Sequence, residues 1–140
     1  MKIFDSHCHL DDRAYDQDRK EVLERAARAG VVKVMIVGTD KDSSFKAFRL
    51  TESHAGCYAS VGVHPHDAKD CTENIVESLR NLAANPGVCA WGETGLDFNR
   101  MYSPQIDQEK WFVRQLEIGQ QLDLPFIFHE RDSNGRFFEI

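Results

Sequence analysis

The sequence predicts an α/β chain built of parallel (β/α) units, about four and a half of the eight that close a TIM-type barrel, with residues 1–140 forming one domain and no second one. Three observations carry this expectation. Five short apolar runs alternate with stretches of helical periodicity. Successive runs are joined by helical connections, as parallel strands require of a crossover of about a dozen residues or more. Their spacing would give eight units in a barrel of about 250 residues. An open doubly wound sheet is the alternative, but the glycine-rich phosphate loop that usually marks one is missing.

Lys2 to His7 reads as the first strand, and Asp16 to Ala29 as a helix with Val22, Leu23, Ala26 and Ala27 on one face. Glu21 with Arg25 and Glu24 with Arg28 supply i,i+4 pairs on its wet side, and Gly30 ends it. Val31 to Val37 is β-branched and nearly continuous, as in a strand covered on both faces. Ser43 to His54 is helical through Phe45, Ala47 and Phe48, with Gly56 as the stop, and Cys57 to Val63 is a third strand. Thr72 caps a third helix with the stripe Ile75, Val76, Leu79, Leu82 and Ala83, and Asn85-Pro86-Gly87 breaks the chain before a strand from Val88 to Glu93. Ser103-Pro104 offers an N-cap and a first-turn proline to a helix that turns Trp111, Phe112 and Leu116 inward and ends near Asp123. Pro125 to His129 is the fifth strand, and Asn134 to Ile140 opens another amphipathic pattern.

The formal charge of -6 opposes a polyanion rather than recruiting one, because phosphate binding needs clustered cations. A nucleic-acid substrate would therefore need bound divalent ions, which can be the largest local charges in a site. Cys8, Cys57, Cys71 and Cys89 form no C-x-x-C pair and read as buried free thiols. With no basic-then-apolar leader and no apolar stretch of membrane-spanning length, a cytoplasmic location and no membrane partner are expected.

His7 and His9 are two apart at a strand end, so both rings point to one side and can reach one cation, with Asp5 and Asp11 close by. Two unrelated histidines on a half-exposed strand remain the alternative. Glu93 is a carboxylate on an apolar strand, where burial calls for a positive partner, either a metal or a cation such as Arg131. His129 closes the fifth strand, and His64 and His66 flank Pro65 after the third, where they could donate to a phosphate or act only as turn residues. Taken together, five of the six histidines and one carboxylate fall at the carboxyl ends of expected parallel strands, with only His54 elsewhere. That end of a barrel is where the βα loops assemble an active site.

Phe4-Asp5-Ser6-His7-Cys8-His9-Leu10-Asp11, Gly62-Val63-His64-Pro65-His66, Gly92-Glu93-Thr94-Gly95-Leu96-Asp97 and His129-Glu130-Arg131-Asp132 resemble, in order, the signatures of TatD-family hydrolases. Asp97-Phe98-Asn99-Arg100 is similar to the deoxyribonucleases within the wider amidohydrolase-type barrels. The resemblance implies a (β/α)8 barrel that hydrolyses DNA phosphodiesters with two divalent metal ions, magnesium, manganese or zinc. It implies His7 and His9 as ligands of one metal, Glu93 as the bridging and catalytic carboxylate, and His129 as ligand of the second. By the same resemblance His64 and Arg131 would meet the substrate.

The chain departs from the family pattern after its fifth strand. A further histidine and an aspartate in a Thr-Asp-Ala-Pro-like motif, which complete the family's site, do not occur. The expectation is therefore an amino-terminal half barrel that is inactive alone, self-associates, or pairs with a complementing carboxyl-terminal half. An amidohydrolase acting on C–N bonds, and a non-catalytic fragment, are the rival expectations.

Overall fold

A computed structural model describes residues 1–140. Its strands are β1 (Ile3–Cys8), β2 (Val31–Val37), β3 (Cys57–Val61), β4 (Val88–Asp97) and β5 (Phe126–Arg131). Between them run the helices α1 (Arg19–Arg28), α2 (Lys41–Ser53), α3 (Glu73–Ala83) and α4 (Gln105–Gln121), and α5 (Arg136–Glu139) is a single turn at the end. The strands pair in the order β1-β2-β3-β4-β5, every neighbour parallel, which makes about half of a barrel wall.

The two faces of the sheet are unequal. Val34, Ile36, Ala59, Val61 and Trp91 pack outward against Ala47, Val76, Leu79 and Ile118 of the helices. Each large aliphatic side chain buried there contributes about 1.5–3 kcal/mol, so this face supplies most of the cohesion. A second, smaller cluster holds Met35, Val37 and Ala90, with Tyr58 and Ile127 packed on it. β1 has no buried residue, as its edge position dictates, whereas β4 is buried along nearly its whole length.

Local chemistry explains where elements begin. Asp40 accepts the Ser43 N–H at 2.7 Å and the Ser43 hydroxyl returns to the Asp40 N–H, a capping box that starts α2 at Lys41. Thr72 caps α3 as expected, through the Ile75 N–H. α1 begins at Arg19 rather than Asp16, because Asp12 caps a 3₁₀ turn at Arg13–Tyr15. On α1 Glu24 meets Arg28 at 3.9 Å, but Arg25 pairs with Asp18 at 3.5 Å rather than with Glu21.

Ser103 does not cap α4. Its hydroxyl donates to the His66 carbonyl at 2.7 Å and accepts the Lys69 N–H at 3.0 Å, which ties a 3₁₀ segment (Pro65–Asp70) to the start of α4. β4 does not stop at Glu93. Thr94 to Asp97 pair with Phe128 to Arg131, so Glu93 sits within the strand and Asp97 at its end. All four cysteines are free, Cys57 and Cys71 buried and Cys8 and Cys89 only partly so. No helix is long and apolar enough to cross a membrane.

Candidate metal centre

The cluster of histidines and acids forms where β1, β4 and β5 end and where β3 runs into its loop. On β1 the alternation of side chains puts His7 and His9 on one side, with ring centroids 5.2 Å apart. The His9 Nδ1–H donates to the Val37 carbonyl at 3.1 Å, so in the neutral ring Nε2 keeps its lone pair. His7 Nε2 lies 3.4 Å from Glu93 Oε2.

Glu93 reaches that position because β4 and β5 approach closely at two glycines. Gly92 and Gly95 have φ of 134° and 148°, and a Cβ on either would sit 2.2 Å from the Ile127 carbonyl oxygen or 1.9 Å from that of His129. The β4–β5 register shifts between Trp91 and Thr94, and the Glu93 N–H donates instead to the Gly38 carbonyl at 2.9 Å. The carboxylate is 7% exposed. Its Oε1 is 3.2 Å from His129 Nδ1 and 3.8 Å from His64 Nε2. Burial pushes this carboxyl up, but the His129 hydrogen bond and the neighbouring charges of His64 and His7 outweigh it and bring it below the ordinary value.

Behind Glu93 lies a second acid that sequence reasoning gave no role. Asp97 is fully buried. Its Oδ1 accepts the backbone N–H of Asn99 at 3.1 Å and of Arg100 at 2.8 Å, and its Oδ2 faces His66 Nε2 at 2.7 Å and His129 Nε2 at 3.2 Å. Burial raises its pKa, yet the Arg100 N–H and then the two imidazoles prevail and hold it well below the carboxylate range. The rings of His64, His66 and His129 make a triangle, with centroids 4.2, 4.4 and 5.9 Å apart. His64 Nδ1 accepts the His66 N–H at 3.1 Å, and burial lowers the His64 pKa to about 4. Near neutral pH His64 is therefore uncharged, with its proton on Nε2, facing Glu93. The His129 pKa is raised, chiefly by its hydrogen bond to Glu93.

Two glutamines of α4 hold these loops. Gln115 Oε1 accepts from the Val63 N–H at 2.8 Å and from Trp91 Nε1 at 3.3 Å, and its amide donates to the Val63 carbonyl. Gln108 brackets Asp97 in the same way, accepting its N–H at 2.8 Å and donating to its carbonyl at 3.0 Å. Both are buried on the stripe with Trp111 and Ile118, whereas Leu116 is only half-buried. The signal was available: polar residues at 108 and 115 share a face with Trp111, where an amphipathic helix should be apolar.

Three free ligand groups for a divalent ion converge at one place. Ligand atoms of His7, His9 and Glu93 lie within 4.8 Å of one another, and this group offers two imidazoles and a carboxylate, with the Nε2 lone pair of His9 left free by its bond to Val37. His64, His66 and His129 also lie that close together, but the His64 Nε2 proton and the bonds to Asp97 make this group a cluster of proton donors, in which His64 Nε2 and His129 Nδ1 face Glu93. Arg131 is exposed, level with Asp97 in the β4–β5 register, and has no ion pair; the partners of Glu93 are histidines. His54 stands apart at the end of α2, beside Ser53.

The family described as TatD related DNase matches residues 4–140. The chain is 39% identical over 138 residues to the "3'-5' ssDNA/RNA exonuclease TatD" of Cronobacter turicensis, covering 99% of this chain and 52% of that protein. A protein of the same name from Musicola paradisiaca is 40% identical over 139 residues, with coverage of 99% and 53%. The chain thus spans about half the length of the curated relatives it matches. The TatD homologue YjjV of Escherichia coli K12 superposes with a TM-score of 0.88 at 30% identity, over 96% of this chain and 53% of that one. A TatD-family hydrolase from Entamoeba histolytica superposes at 0.91 over 99% and 53%, and at 24% identity it speaks for the fold alone. On a match that takes in nearly every residue, including all four histidine and acid motifs, this chain belongs to the TatD-related DNase family.

Proposed function

We propose that residues 1–140 supply the amino-terminal half of a (β/α)8 metal-dependent nuclease and that the site hydrolyses DNA phosphodiester bonds. The observation that carries this reading is the convergence of His7, His9 and His129 on the buried carboxylate of Glu93. His7 and His9 would hold one divalent ion, His129 the second, and Glu93 would bridge them. Imidazole with carboxylate suits zinc or manganese, and magnesium where oxygen ligands dominate. Bound there, such ions would polarise the phosphate and lower the pKa of a coordinated water.

The chain's own residues would bind and orient the substrate. Neutral His64 keeps a donor on Nε2, suited to a phosphate oxygen. Arg131, exposed at the end of β5 and without an ion pair, is available to the same anion. The relatives named as ssDNA/RNA exonucleases support a polynucleotide substrate, and a cytoplasmic location accords with the free thiols. A second reading concerns assembly. β1 and β5 end the sheet, and Phe4 of β1 and Phe128 of β5 are exposed, as expected of a wall that a complementing half or a second copy would complete.

Hydrolysis of single- and double-stranded DNA with magnesium, manganese or zinc, alongside Glu93→Ala and a mass in solution, tests both readings. Metal-dependent cleavage that vanishes in Glu93→Ala is expected, either from the chain itself or once a carboxyl-terminal half is supplied. Near-normal turnover by Glu93→Ala contradicts the bridging role.

A further inference from the structure

We propose that Asp97 is a positioning residue that fixes which nitrogen of His129 faces the site, holding the Nε2–H of both His129 and His66 so that His129 presents Nδ1 to Glu93. The inference rests on the metal-site reading above and assigns a role to a residue which that reading leaves idle.

The two oxygens of Asp97 have separate partners. Oδ1 is committed to the backbone, accepting the N–H of Asn99 and of Arg100 and so closing the turn after β4. Oδ2 faces only imidazole nitrogens, His66 Nε2 at 2.7 Å and His129 Nε2 at 3.2 Å. An ionised carboxylate has no proton to give, so both rings must donate to it through Nε2. His129 has its other nitrogen 3.2 Å from Glu93 Oε1, on the side of the site. A ring whose Nε2 proton is held by a buried carboxylate can offer a cation only Nδ1, the arrangement in which an outer carboxylate orients a metal-binding histidine.

The carboxylate is held by the Asn99 and Arg100 N–H groups, and the backbone that carries it by Gln108. Gln108 takes both the N–H and the carbonyl of Asp97, and the same glutamine donates to the Ser103 carbonyl at 2.8 Å. Ser103 in turn holds the His66 carbonyl. One buried amide on α4 thus connects the Asp97 backbone with the loop that brings His66 to its carboxylate. His64 meets both of these rings edge-on, with centroids 4.4 Å from His129 and 4.2 Å from His66, so the rings that the carboxylate holds also flank the third.

Asp97→Asn separates this role from the turn. An asparagine can keep its oxygen on the Asn99 and Arg100 N–H groups, which turns its NH2 toward the imidazoles and replaces an acceptor with a donor. The experiment is 15N NMR of the histidine rings in the full 140-residue chain, without metal and with zinc. In the wild type, slowly exchanging Nε2–H signals are expected for His66 and His129, and zinc should move the His129 Nδ1 resonance while its Nε2–H persists. In Asp97→Asn those Nε2–H signals should be lost, and zinc affinity should fall by about 10- to 100-fold. Wild-type rings protonated on Nδ1 alone, or zinc bound at His129 Nε2, would overturn the proposal without need of a folded variant. Retention of both Nε2–H signals in a folded Asp97→Asn would overturn it as well. If the signals behave as expected but zinc moves no histidine, the positioning role stands and the metal-site reading fails.

Discussion

The histidine cluster has two unlike sides. On the β1 side, His7 and His9 are exposed on an edge strand with no buried residue, and His9 keeps one protein hydrogen bond. On the β3–β5 side, His64, His66 and His129 are buried or half-buried, each bonded to the protein, and two glutamines of α4 hold the backbone of Val63 and of Asp97 from behind. Glu93 belongs to both, facing His7 with one oxygen and His129 with the other. One side is thus set by the fold, through groups whose partners are fixed before any ligand arrives. The other needs its cation, or a neighbouring strand, to be held as firmly.

The largest effect should come from disturbing the rigid side at its narrowest point. Gly95→Ala places a methyl 1.9 Å from the His129 carbonyl oxygen at a φ of 148°, so it combines overpacking with backbone strain. A loss of roughly 2–6 kcal/mol in urea unfolding is expected, and an unchanged midpoint would show that β4 and β5 need not approach so closely. Comparable in size is Gln115→Leu, which leaves the Val63 N–H and carbonyl and the Trp91 Nε1–H without their partner. Each buried orphan costs about 1–3 kcal/mol. By contrast His7→Ala, on the exposed side, should change stability by no more than about 0.5 kcal/mol. If the two variants lose equal stability, the contrast between the sides is wrong.

Stability should also slope with pH. The buried His64 has its pKa lowered from 6.5 to about 4, so between those values the unfolded chain takes up a proton that the folded chain refuses. Stability is thus gained above 6.5 and lost as pH falls toward 4. His129 acts in the opposite sense, since its raised pKa contributes stability below the ordinary histidine value that is lost as pH rises through the folded value. Urea midpoints of the wild type and His64→Gln over this range should diverge on acidification, with the wild type the steeper.

The fold was legible because alternating apolar runs and helical stripes report directly on burial, and β2 was delimited from its aliphatic run alone. The extension of β4 beyond Glu93 was not, because Gly95 and Asp97 carry no strand signal of their own until their partners on β5 are known. For the site, strand-end position brought out His7, His9, His64, Glu93 and His129, but position does not report tautomers. Asp97 and Gln108 were hidden for the same reason, since their roles exist only in contacts from β4 to α4 and to His66. Ser103 read as a cap because its neighbour is proline, while its hydroxyl goes to the carbonyl of a distant loop residue.

If His7, His9 and Glu93 hold a divalent ion, zinc or manganese should bind the 140-residue chain in equilibrium dialysis. Binding to the wild type should be saturable and should be lost or greatly weakened in both Glu93→Gln and His7→Ala, while His54→Ala binds as the wild type does. Equal binding by all four proteins, or none by the wild type, would contradict that ligand set.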